Sequence, residues 1–76
     1  MNGNTDNLVH MANRIGEFFQ AMPDAAEGRD GVAEHLRKFW APAMRRDLLA
    51  HVDATQGAGL LPIVAAALQQ HRQALA

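Results

Sequence analysis

Seventy-six residues make one small domain, with a net charge of −1, nearly balanced acids and bases, and no cysteine. A chain this short buries only ~60% of the surface its unfolded form exposes, and without cysteine it has no disulfide, thiolate nucleophile or iron–sulfur ligand. The balance also lacks the basic surplus from which nucleic-acid binders draw most of their affinity, and no apolar run approaches the ~20 residues that span a bilayer. The opening "MNGNTDN" is polar, with Asp6 its one charged side chain, unlike a signal peptide. The expectation is a soluble, cytoplasmic protein with no membrane association, in keeping with a reducing compartment.

Leu8, Met11, Ala12, Ile15, Phe18, Phe19 and Met22 follow the three-four spacing of an amphipathic helix, with Asn7, Arg14, Glu17 and Gln20 on the other face. Thr5 or Asp6 is placed to cap it and Pro23 to end it, which leaves residues 1–6 as a flexible tail. "PDAAEGRDG" (23–31) reads as a connection punctuated by Pro23, Gly28 and Gly31, with room for one helical turn from Asp24 to Glu27. A second helix is predicted from Asp30 or Val32 to Phe39, burying Val32, Leu36 and Phe39, with Glu34 and Lys38 spaced for an exposed ion pair. Pro42 suits the first position of a third helix, where its missing N–H costs nothing. That helix turns Met44, Leu48, Leu49 and Val52 inward and fades near Ala54. "TQGAG" is a loop, and Pro62 opens a fourth helix with Leu61, Val64, Leu68 and Leu75 on one stripe. Its polar end, "QQHRQ", is expected to fray. No segment alternates with period two and none repeats. The fold expected is all-α, a single helical domain over 1–76, built as a bundle of three to four short helices. Its core should draw on Leu8, Ile15, Phe18, Leu36, Phe39, Leu48, Val64 and Leu68.

Side chains able to do chemistry are sparse. His10, His35, His51 and His71 fall on four different helices, with no paired spacing that would make a metal site. The only side-chain hydroxyls are Thr5 and Thr55, and Asp24, Glu27, Asp30 and Glu34 read as solvated charges. Met11, Met22 and Met44 read as core filler. No catalytic, cofactor-binding or metal-ligating residue is expected in this chain.

One segment stands apart. "HLRKFWAPAMRRDLLAHV" (35–52) carries the only tryptophan beside a helix-breaking proline, with Arg37, Lys38, Arg45 and Arg46 inside ten residues free of acids. In one reading Trp40 plugs the elbow between two helices and the bases are merely solvated. In the other, Arg37, Trp40, Arg45 and Arg46 form a partner-facing patch, since Trp and Arg are enriched at binding hot spots. Adjacent helical residues diverge by about 100°, so burying Phe39 with Leu36 would turn Trp40 to the rim. A helix-turn-helix is the nucleic-acid alternative. The bases, however, bracket the elbow and do not line one recognition helix, which favours a protein partner.

Three segments, "LVHMANRIGEFF" (8–19), "HLRKFWAPAMRRDLLAHV" (35–52) and "GLLPIVAAAL" (59–68), resemble in order and spacing the delta subunit of bacterial NAD-dependent formate dehydrogenase. The resemblance implies a non-catalytic accessory subunit of a soluble molybdenum enzyme that oxidises formate to carbon dioxide and reduces NAD⁺. It implies partners in the catalytic and other subunits, which would hold the molybdopterin, iron–sulfur clusters and flavin. This chain would assist assembly, maturation or stability of the catalytic subunit; in isolation it could pair as a homodimer. The family pattern commonly has an acid before the elbow proline and a base after it, where this chain has Ala41 and Ala43. A free-standing helical module binding protein or nucleic acid is the alternative.

Overall fold

The computed structural model describes residues 3–76 and contains, among these, five helices and no strand. The first, α1, spans Gly3–Phe19. It starts earlier than the apolar periodicity implies, so residues 3–6, expected in a flexible tail, form its first turn; residues 1 and 2 lie outside the described residues. Asp6 sits in that turn, where a carboxylate complements the positive end of the helix dipole. The helix stops three residues short of Met22. Gln20 N–H still reaches back four residues to Gly16 O, but Met22 N–H bonds Phe19 O, a tighter turn that sets up Pro23.

The largest departure from expectation is α2, Ala25–Phe39, which absorbs most of the 23–31 connection. Asp24 caps it, its Oδ1 accepting from Ala26 N (2.8 Å) and Glu27 N (3.1 Å). The helical turn foreseen at 24–27 is therefore the first turn of a longer helix. Gly28 and Gly31, read as punctuation, lie inside it because the neighbouring chain passes too close for a side chain. A Cβ on Gly28 would stand 2.9 Å from the Phe19 carbonyl oxygen, and one on Gly31 would stand 2.4 Å from the Phe19 ring.

Helix α3 (Pro42–Thr55) and helix α4 (Pro62–Gln70) each begin on a proline, as expected. Neither has a side-chain cap. The loop between them turns on Gln56, Gly57 and Gly59, all with positive φ. Asn13 of α1 braces that loop, donating to Gly59 O (2.8 Å) and accepting from Leu61 N (2.9 Å). On its other side His51 Nε2 donates to Ala58 O (2.7 Å). His51 thus holds the loop; it does not merely complement the end of α3.

The polar "QQHRQ" end does not fray. After a break at His71 the chain forms a last turn, α5 (Arg72–Leu75), whose Leu75 is fully buried. Three cross-links fasten this end: Arg29 Nε to Gln70 Oε1 (2.9 Å), His71 Nε2 to Asp30 Oδ1 (2.8 Å), and a two-pronged Arg72–Asp53 pair.

The core unites Leu8 and Ala12 of α1, Val32, Ala33 and Leu36 of α2, Trp40 between α2 and α3, Leu48, Leu49 and Val52 of α3, Val64, Ala67 and Leu68 of α4, and Leu75 of the last turn. Helix α2 packs most extensively on α4, and α1 lies against α2, α3 and α4. At Gly16 a Cβ would come within 2.6 Å of Val64, so α1 and α4 also approach closely. Of the expected core, Leu8, Leu36, Leu48, Val64 and Leu68 are buried and Ile15 is partly so. Phe18 and Phe39 are not core residues; each is 72% exposed. No helix among the described residues is long and apolar enough to cross a membrane.

Candidate functional site

The elbow between α2 and α3 is built at residues 37–46, and its two aromatics exchange the roles assigned from sequence. Trp40 is 7% exposed and joins the core, while Phe39 faces solvent. The reason lies in the backbone. Trp40 is already outside the helix, with φ −92° and ψ 139°, though its N–H still bonds Leu36 O (3.0 Å). Helical angles predict side-chain direction only while the backbone stays helical, so the extended step at Trp40 brings its ring into the core. Phe39 keeps helical geometry and packs beside His35 one turn back, ring centroids 4.8 Å apart.

The four bases also separate in function. Arg45 is half-buried and turns back on the preceding helix, its Nη1 donating to Arg37 O (2.8 Å). That carbonyl belongs to the last turn of α2, where the helix has no amide of its own to offer. A guanidinium there satisfies the oxygen and meets the negative end of the dipole. Arg45 is thus a clamp across the elbow, and its Nε is buried with no hydrogen-bond partner among the described residues. Arg37 is exposed and grips Glu34 with two hydrogen bonds of 2.9 Å. This grip holds the Glu34 carboxyl below its ordinary range, with Lys38, 3.6 Å away, adding to the effect. The pair foreseen between Glu34 and Lys38 therefore exists, with Arg37 as the closer partner. Arg46 is exposed, with no bonded partner among the described residues.

Of the four residues expected to face a partner, Arg37 and Arg46 reach solvent, Arg45 is tied to the backbone and Trp40 is buried. Lys38 and Phe39, in the same segment, are also exposed. Phe39 fits the apolar stripe of α2, which is why the sequence pattern places it inside.

A second feature is a shallow groove of about 370 Å³ between the α1–α2 turn and α4, lined mainly by Phe19, Met22, Pro23, Pro62 and Ile63. Phe18 stands edge-on to Phe19, centroids 5.0 Å apart. The histidines do not converge. Among the described residues no group of three or more His, Asp or Glu side chains is placed to hold a metal ion. With no cysteine in the chain, the donor set does not fit an iron–sulfur cluster or a thiolate-held metal either.

Residues 7–68 match a family described as the NADH-dependent formate dehydrogenase delta subunit FdsD. No curated protein and no solved structure matches the chain. The matched span runs from the start of the apolar face of α1 to Leu68 of α4, and includes the elbow and the Asn13-braced loop.

Proposed function

The chain belongs to the NADH-dependent formate dehydrogenase delta-subunit family, and on that premise we propose that it is a non-catalytic accessory subunit of a cytoplasmic formate dehydrogenase complex. It assists assembly, maturation or stability of the molybdenum-containing catalytic subunit. The observation that carries this reading is the match over 7–68, which takes in nearly all of the buried core. The chemistry of the chain supports it. A cysteine-free domain with dispersed histidines supplies no thiolate for an iron–sulfur cluster or for the metal, and we assign molybdopterin, clusters and flavin, with the transfer of electrons from formate to NAD⁺, to the partner subunits. What this chain contributes is a small shaped surface on a rigid helical frame.

Deleting the gene tests the role. The expected result is a lower yield or cofactor content of the purified formate dehydrogenase, restored by supplying the chain in trans. Full activity and normal assembly in its absence would rule the role out.

A further inference from the structure

We propose that the α2–α3 elbow is the docking surface of this subunit, with Phe39 as its apolar anchor and Lys38 and Arg46 as its charged rim. Its occupant is an acidic protein surface, carrying an apolar pocket, on another subunit of the complex. The proposal rests on the accessory-subunit reading above and adds the surface and the chemistry of its partner.

Three observations carry it. The first is Phe39 itself. Folding makes no use of this ring, since Trp40 closes the end of the core and Phe39 stays 72% exposed. A phenylalanine offers a large apolar area, and a single ring inserted into a partner's pocket is the usual form of an interface anchor.

The second is rigidity. The buried Trp40, the Trp40 N–H bond to Leu36 O, and the Arg45 clamp on Arg37 O fix the backbone on both sides of Phe39. His35 supports its ring from within the same helix. An anchor already held in place loses little freedom on binding.

The third is charge. Residues 34–47 contain four bases against two acids, Glu34 and Asp47, while the rest of the chain has three bases against six acids. The positive charge of an otherwise acidic molecule is gathered at the elbow. Arg45 is turned inward and Arg37 is occupied by Glu34. That leaves Arg46, and Lys38 at its looser 3.6 Å from Glu34, to face an oncoming surface. Complementary charge of this kind steers encounter and fixes orientation. Arg46 and a loosely paired Lys38 fall short of the several phosphate contacts that nucleic-acid binding draws on, so the partner is protein.

The test co-expresses the complex with an affinity tag on the catalytic subunit and measures how much delta chain is retained, with melting of each isolated variant measured alongside. Phe39→Ala is expected to lower retention at least about tenfold while the variant stays folded. A Lys38→Glu/Arg46→Glu double variant should do the same, and raised salt should weaken wild-type retention. Phe18→Ala, equally exposed at the far end of α1, should be retained like wild type. If wild type is retained and the elbow variants are retained equally, the docking surface is refuted while the accessory role stands. Release by Phe18→Ala in place of Phe39→Ala also overturns it. A wild-type chain that never accompanies the complex overturns the docking surface, and the gene deletion then decides the accessory role by itself. If the wild-type chain instead binds single-stranded RNA and Phe39→Ala abolishes that binding, the partner is a nucleic acid and the proposal fails.

Discussion

Trp40 and Phe39 are neighbours in sequence with opposite fates, and substitution should separate them cleanly. Removing a buried ring costs its transfer energy and leaves a cavity, so Trp40→Ala should destabilise the domain by about 3–5 kcal/mol. Phe39→Ala, at a site 72% exposed, should cost less than about 1 kcal/mol. Urea unfolding of both variants checks the pair, and the reverse order would mean that the elbow packs differently. For a domain of this length total stability is on the order of 4–11 kcal/mol, so that loss would remove at least about a quarter of it. Arg45, expected to face a partner, is instead a clamp on Arg37 O. Arg45→Ala should lose about 1 kcal/mol, less than a fully buried charged bond because the side chain is only half-buried. In a domain this small that is a drop of roughly 4–8 °C in melting temperature.

At the scale of the helix, α2 carries the lesson. Gly28 and Gly31 have the composition of a linker, yet they serve as a notch into which the end of α1 fits. By helix propensity alone Gly28→Ala should gain about 1 kcal/mol. Its methyl group would instead meet a backbone oxygen at 2.9 Å, which cannot rotate away. The expected outcome is net destabilisation of about 1–3 kcal/mol, read from thermal melts; a stabilised variant would mean that the two helices stand further apart. The opposite sign is expected at Ala41. It precedes Pro42 in an extended conformation, φ −62° and ψ 147°, with no side chain to accept from the first amides of α3. Ala41→Asp should supply that acceptor and stabilise by about 0.5–2 kcal/mol, and a lower melting temperature would contradict the helix start. The signal for the true start of α2 was present in the sequence, because Asp24 with Glu27 three residues on is a capping pattern. The two glycines hid it.

In the whole molecule, the last six residues close the bundle. Leu75 is buried by contacts of α5 with α2, α3 and α4, and polar bonds to Asp30 and Asp53 hold the turn that delivers it. Truncation after Gln70 should therefore cost at least about 2 kcal/mol, the lower bound for emptying a buried leucine site. Native-state hydrogen exchange should show the amides of Leu75 and Ala76 protected; rapid exchange there would mean that the end frays after all. The family match ends at Leu68, before this segment.

Sequence alone determined the helical class, the prolines that open α3 and α4, and, Phe18 and Phe39 excepted, the apolar faces within each helix, because the 3.6-residue period records a face along helical backbone. It also carried the family resemblance, through residues that the structure places in the α1 core and loop brace, at the elbow and in α4. Only the tertiary structure decided which of two adjacent aromatics is buried, what Gly28 and Gly31 are for, and whether the polar C-terminal end docks. Each of these depends on something periodicity does not record. At a helix end the direction of a side chain follows the first non-helical dihedral, as at Trp40. A glycine's purpose depends on how near the neighbouring backbone passes, and a polar end docks only if distant partners such as Asp30 and Asp53 stand where the fold brings them.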